Sequence, residues 1–315
     1  MTTLVVALAL LAGLIAAALV ALDPYDTGRF TLFPSHGVGA GEGPRTANAS
    51  RGRDPRFDSA VFGNSHVQLL APERLNARAG GAWVSLIAPA TGPKEQLVLL
   101  DWFVRHRRAP ARAIVIGVDA NWCVNDPAMP NEKPFPFWLY DRSGARYVAG
   151  LFRAAAIADL GSRLQRLVGK GKRAREDGWW DYEPEYLRLR YDAPERRAAL
   201  DRIDDLYASV GAGPFPAVAA LERALAGARQ TPVVLLRPPL YPSVRPQTAA
   251  GAAASRACGE ALADLAARRP RTRLIDWQAG PGADDPANFF DRTHYRRPLA
   301  ERLEAAIAAA LAELS

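Results

Sequence analysis

The sequence predicts an α/β protein: a three-layer arrangement in which helices cover both faces of a parallel sheet, preceded by one membrane-spanning helix. Three observations lead there. From residue 57 onward, short apolar runs rich in Val, Ile and Leu alternate with longer amphipathic ones, the pattern of strands buried on both faces and joined by helices. A long uncharged run opens the chain. The 315 residues, 49% of them apolar, suffice to bury a sizeable core.

Residues 4–22 carry no charge and a single glycine. As a helix this run is about 28 Å long at 1.5 Å per residue, enough for the hydrocarbon core of a bilayer. Its exit, Leu19-Val20-Ala21-Leu22-Asp23-Pro24, is a poor small-x-small cleavage site. An uncleaved anchor over 1–22 is therefore favoured over a cleaved signal or a buried helix. Residues 23–56 read as a linker, because 34–54 are rich in Gly, Pro, Ser and Arg and include Gly37-Val38-Gly39-Ala40-Gly41.

The body follows over 57–315. Strands are expected at 57–62, 83–88, 113–118, 232–236 and 272–276, and helices at 95–105, 146–167, 193–210, 217–228, 249–268 and 298–314. The stretch from about 125 to 230 is long for a connection between adjacent strands. It reads as a helical insertion folded over the carboxyl ends of the strands, where open α/β sheets bind ligands. Its aromatic residues Trp179, Trp180, Tyr182, Tyr186 and Tyr191 are either a sugar-stacking surface or packing.

Composition excludes several classes. The net charge is +7, but of 40 basic residues only 4 are Lys, and the arginines are scattered with no long basic run. No nucleic-acid partner is expected from that pattern. Two cysteines, 123 and 258, exclude a disulfide-rich scaffold and a four-cysteine zinc module. The four histidines, 36, 66, 106 and 294, form no cluster at metal-ligand spacing.

Two segments carry candidate chemistry. In Val61-Phe62-Gly63-Asn64-Ser65-His66 an apolar strand ends at a glycine, and a helix can open at Val67. Ser65 would sit on a strand-to-helix turn, either as a nucleophile, if a base reaches it, or as a helix cap. In Phe289-Phe290-Asp291-Arg292-Thr293-His294-Tyr295, Asp291 and His294 can meet on one turn. The carboxylate would then fix the imidazole tautomer and leave the second nitrogen as a base. Otherwise Asp291 caps the last helix and His294 is exposed.

Together, a serine after the first strand and an Asp-x-x-His before the terminal helix resemble the SGNH (GDSL-like) hydrolase superfamily. Gly63-Asn64-Ser65-His66 matches the block that carries the nucleophile, with Asn in place of the common Asp. Asp291 and His294 match the Asp-x-x-His block. Gly92, in Ala90-Thr91-Gly92-Pro93, matches the glycine of the oxyanion hole. The Gly-x-Asn-Asp block is met by Gly117-Val118-Asp119-Ala120-Asn121, with Asp119 where Asn is usual. An ionised Asp119 cannot donate a hydrogen bond, so the side-chain donor falls to Asn121 or is missing. With its anchor and Asp23-Pro24-Tyr25, the chain looks like membrane-anchored SGNH-like proteins of bacterial envelopes, among them relatives of the alginate O-acetylation proteins and of the teichoic-acid D-alanylation protein.

The resemblance implies a flavodoxin-like sheet and a serine esterase or O-acyltransferase acting on an acylated envelope glycan. Ser65 would attack, His294 would act as base, Asp291 would orient it, and Ser65, Gly92 and Asn121 would form the oxyanion hole. This route needs no metal or organic cofactor. The alternative is a non-catalytic protein of the same fold that binds glycan or a polytopic membrane acyltransferase. His66, next to Ser65, is expected to point away from the base as a structural histidine. Cys123 and Cys258 are either a disulfide or two separate thiols. Arg29, Arg45, Arg51 and Arg53 follow the anchor, which read strictly would keep the body in the cytoplasm. The glycan chemistry favours an inner-membrane protein with its body in the periplasm.

Overall fold

A computed structural model describes residues 2–30, 43–130, 133–170, 174–208 and 210–314. His36 and the glycines of 37–41 lie outside the described residues. Helix α1 (Thr2–Leu22) is the one helix among the described residues long and apolar enough to cross a membrane. Helix α2 (Pro44–Arg53) leads into the body. There follow β1 (Ser59–Phe62), α3 (Pro72–Ala79), β2 (Trp83–Ser85), α4 (Pro93–Arg105) and β3 (Ala113–Gly117). The long insertion holds α5 (Asn121–Val124), α6 (Phe137–Tyr140), α7 (Gly144–Leu151), α8 (Ala154–Leu167), α9 (Glu183–Arg188), α10 (Pro194–Leu200) and α11 (Pro216–Leu225). The chain ends with β4 (Val233–Arg237), α12 (Ala249–Arg268), β5 (Thr272–Asp276) and α13 (Arg297–Leu314).

The five strands form one parallel sheet in the order β2-β1-β3-β4-β5. Side chains alternate across it, as a strand's period of two requires. Ala60, Phe62, Ile114, Ile116, Val233 and Leu235 face a core closed by Leu100 and Phe103 of α4, Leu221 of α11 and Leu262 of α12. Val61, Val115, Val234 and Leu236 face the opposite core, closed by Leu75 of α3 and by Leu299, Leu303 and Ile307 of α13. The direction of winding reverses at β1. The crevice between the carboxyl ends of β1 and β3 is therefore the switch point where such sheets take ligands.

Three expectations are corrected. The second half of the expected linker is helix α2, and Ala47 to Gly52 are all buried. Small side chains serve close packing there: a Cβ on Gly52 would stand 2.8 Å from Cδ1 of Trp102. The single helix expected over 146–167 is broken at Phe152–Arg153, where the backbone turns extended. Gly150 stands two residues before the break, which lets α7 pack on α6 while α8 turns to pack along α1. The helix expected over 193–210 stops at Leu200. Beyond it the Asp205 carboxylate accepts the backbone N–H groups of Tyr207, Gln247 and Thr248 at 2.8, 2.9 and 3.3 Å, which holds the chain in turns.

Candidate active site

The turn after β1 is shaped by one wedge between two glycines. Gly63 has φ +154°, and a Cβ there would stand 2.4 Å from Cγ2 of Val67. Gly117, at the end of β3, would bring a Cβ within 2.8 Å of Cγ1 of the same residue. Val67 fits only because both neighbours lack side chains. Asn64 Oδ1 accepts the His66 N–H at 3.0 Å and caps the 3₁₀ turn Ser65–Val67. The Ser65 N–H has no partner among the described residues.

The second half of the site comes from the segment before α13. Phe289 bridges Tyr295, and the Phe290 N–H donates to the His294 carbonyl at 2.9 Å. Inside this loop, Asp291 Oδ1 accepts the N–H groups of Thr293 and His294 at 2.9 and 2.8 Å. His294 Nδ1 lies 2.9 and 2.8 Å from the two Asp291 carboxylate oxygens. His294 Nε2 lies 2.8 Å from Ser65 Oγ. Burial pushes the Asp291 carboxyl up, but the hydrogen bond and charge of His294 and the two backbone N–H groups outweigh it and hold the carboxyl well below the usual range. An ionised Asp291 accepts only. Nδ1 must therefore carry a proton toward it, and Nε2 is left to accept the Ser65 hydroxyl proton.

Glu304 holds the two halves together. This α13 side chain is fully buried, and it accepts the Ala71 N–H at 2.8 Å and Arg74 Nε at 2.6 Å. It thus ties the segment after Ser65 to the helix after His294. The aromatic cluster of the insertion divides. Tyr182 and Tyr191 are buried. Tyr186 stacks on Phe290 at 4.5 Å and donates its hydroxyl to Asp291 Oδ2 at 3.3 Å. Trp180 is 55% exposed. Most of the cluster therefore packs around the Asp291–His294 loop.

Asp119 is the hub on the other side of Ser65. Its Oδ2 accepts from Asn64 Nδ2 at 2.7 Å and from Asn121 Nδ2 at 3.0 Å, and lies 2.7 Å from His66 Nδ1. Its Oδ1 accepts the Asn121 N–H at 3.1 Å. Burial raises the Asp119 carboxyl, but His66, Asn64 and Asn121 outweigh it and hold it low. Burial lowers His66, but the bond and charge of Asp119, joined by the charge of Asp291, outweigh it and raise it. The expectation that His66 turns away from the base is corrected. Its ring packs edge-on against His294 at 5.2 Å between centroids, because Asp119 draws it in.

The three expected oxyanion donors are placed unequally. Ser65 N–H is open. Asn121 Nδ2 spends one hydrogen on Asp119 and keeps a second. The Gly92 N–H is occupied, donating to Glu95 Oε2 at 3.1 Å as the α4 helix starts. Just before it, Ala90 has φ +53°, a conformation that disfavours a non-glycine residue. These groups line a cleft of about 760 Å³ that runs from Ser65 and His66 past Gly92 and Asn121 to Asn125 and Met129.

Cys123 on α5 and Cys258 on α12 form a disulfide with Cα atoms 5.8 Å apart. Sequence reasoning missed the roles of Asn64, His66, Glu95 and Tyr186. An amide at 64 and a carboxylate at 119, just past the ends of β1 and β3, were a usable signal for the first, since the two can bond. No family model and no curated protein matches the chain.

Proposed function

We propose that the protein is a membrane-anchored serine esterase or O-acyltransferase of SGNH-like, flavodoxin-like fold, acting on acyl esters of a cell-envelope glycan outside the cytoplasm. One observation carries the reading: Ser65 Oγ, His294 and Asp291 stand in a continuous relay, 2.8 Å at each link, at the switch point of the sheet. Ser65 Oγ attacks the ester carbonyl carbon while His294 Nε2 takes its proton. Asp291 stabilises the imidazolium. The tetrahedral oxyanion rests on the Ser65 N–H and the free amide hydrogen of Asn121. Collapse breaks the ester C–O bond, and His294 returns the proton to the leaving alkoxide. Water or a sugar hydroxyl then takes the acyl group from Ser65 by the same steps in reverse. The open cleft beside Ser65 has room for a sugar unit, and the disulfide fits an oxidising compartment.

A second reading has its own observation. Glu95 occupies the Gly92 N–H and sets a carboxylate beside the position of the oxyanion. That arrangement suits a protein that binds glycan or a polytopic acyltransferase without catalysis. Labelling of the full chain with a serine-reactive phosphonate separates the two. Label on Ser65, absent in Ser65→Ala, supports the enzyme. No label, together with no turnover of a small acetyl ester, supports the binding protein.

A further inference from the structure

Helix α8 buries two arginines beside Ala156 and Leu160. Arg163 Nε donates to the Leu22 carbonyl at 3.2 Å, and Arg166 Nη2 to the Pro24 carbonyl at 3.3 Å. Both arginines thereby satisfy carbonyls at the end of α1 that the helix itself leaves unpaired. The exposed positions of α8 carry no charged side chain, in a chain that is 23% charged. Ile157, Leu164 and Val168 form one stripe, 48%, 46% and 68% exposed, with Phe152 at 59% just before the helix. Positions 157, 164 and 168 fall within about 40° of each other around a helix of 3.6 residues per turn. Exposed Arg153 and Lys170 flank the stripe.

The length of α1 says what covers this face. Residues 2–14 are exposed on all sides, about 20 Å of helix against a hydrocarbon core about 30 Å thick. Within the described helix, Thr2–Leu22, the rest of that depth lies in residues 15–22. Leu19 of that segment is in the core of the body, with Ile15, Ala18 and Leu22 packed against it, and α8 runs alongside. A bilayer that takes in the whole of α1 therefore reaches α8.

We propose that α8 lies in the membrane interface, with Phe152, Ile157, Leu164 and Val168 among the acyl chains and Arg153 and Lys170 at the headgroups. The body is then seated in the bilayer surface by two elements instead of hanging from one. This is the arrangement of an interfacial amphipathic helix, with its apolar side buried about 5–10 Å into the headgroup boundary. The inference rests on α1 spanning the membrane.

The test uses the full chain in vesicles of phosphatidylcholine and phosphatidylglycerol, with single cysteines labelled by an environment-sensitive fluorophore. The native cysteines are held in their disulfide and stay unlabelled. Ile157→Cys and Leu164→Cys should show blue-shifted emission, quenched most by doxyl groups placed near the headgroup. Leu10→Cys should be quenched most by doxyl groups near the chain end. Leu187→Cys, on α9, should report water. Emission at 157 and 164 like that at 187, with Leu10→Cys deep, overturns the proposal and leaves the span standing. Blue-shifted emission at 157 and 164 without doxyl quenching means that protein covers the face, and also overturns it. Emission like water at Leu10→Cys as well removes the span on which the inference rests, and the inference with it.

Discussion

Asn64 Nδ2 lies 2.7 Å from Asp119 Oδ2, a bond that joins the turn after β1 to the end of β3. Asn64→Asp alone should set two carboxylates against each other and destabilise the fold. Adding Asp119→Asn should recover part of the loss, with a coupling of about 1–3 kcal/mol. Urea unfolding of the four proteins measures it; losses that simply add would mean that the pair is not coupled.

Ser65→Ala and His294→Ala should each abolish turnover of a small acetyl ester without unfolding the protein. The double variant should be little worse than either single one, since members of a relay act as a unit. Asp291→Asn keeps the shape but removes the charge and allows the wrong tautomer, and should lower kcat by about 10⁴-fold. Steady-state kinetics with circular dichroism as a folding control checks all four. Wild-type turnover in Ser65→Ala would overturn the catalytic assignment.

The oxyanion donors can be tested one by one. Removing such a donor costs about 10²–10³ in rate. Asn121→Ala should lower kcat on that scale and leave KM nearly unchanged. Glu95→Ala frees the Gly92 N–H and should raise the rate, while loss of the helix-start bond costs about 0.5–2 kcal/mol of stability. A Glu95→Ala variant that is less stable and no faster would remove Gly92 from the hole.

Two limbs of pH dependence follow from the shifted groups. Asp119 and Asp291 are held low by their partners, so the stability they contribute is present above their unfolded pKa of about 3.9 and is lost as pH falls through the folded values. His66 is raised by Asp119, with Asp291 and the His294 ring also facing it. Its contribution is complete below about pH 6.5 and is lost as pH rises through the folded value. Urea midpoints should therefore fall on the acid side and again as pH rises beyond about 6.5. His66→Gln should flatten the second fall and also weaken the Asp119 part of the first, since His66 helps to hold that carboxyl low, while the Asp291 part remains.

A reporter active only in the periplasm, fused after Ser315, should be active, and one active only in the cytoplasm silent. The opposite result would place the body inside. Protein unfolded without reductant should show no free thiol, and Cys258→Ser should cost about 2–5 kcal/mol of stability.

The sheet was legible because each strand is a compact apolar run flanked by turn residues; all five fall in the expected runs, although β1 starts only at Ser59 and β2 stops at Ser85, short of the expected 88. Asp291 and His294 were legible because the spacing of Asp and His on one turn is local; their meeting with Ser65, 229 residues away, was expected only from the family resemblance. What failed depends on other distant neighbours. Residues 44–53 look flexible as a sequence, yet form a buried helix packed so closely that a Cβ on Gly52 would stand 2.8 Å from Trp102 Cδ1. His66 looks like a bystander until Asp119, 53 residues away, is folded against it. The occupied Gly92 amide was in principle readable, since Glu95 stands three residues on, at the position that closes a capping box.

The Cys123–Cys258 bond joins residues 135 positions apart, and nearly all of the insertion lies between them. The segment is thus a closed covalent ring. A protease that cuts once anywhere between Val124 and Ala257 opens the ring but releases nothing. On a gel without reductant the nicked chain keeps its full mass, and only reduction parts it into two fragments. A cut before Cys123 or after Cys258 frees a piece at once. Fragment patterns with and without reductant therefore map where the chain is first attacked, inside the ring or outside it.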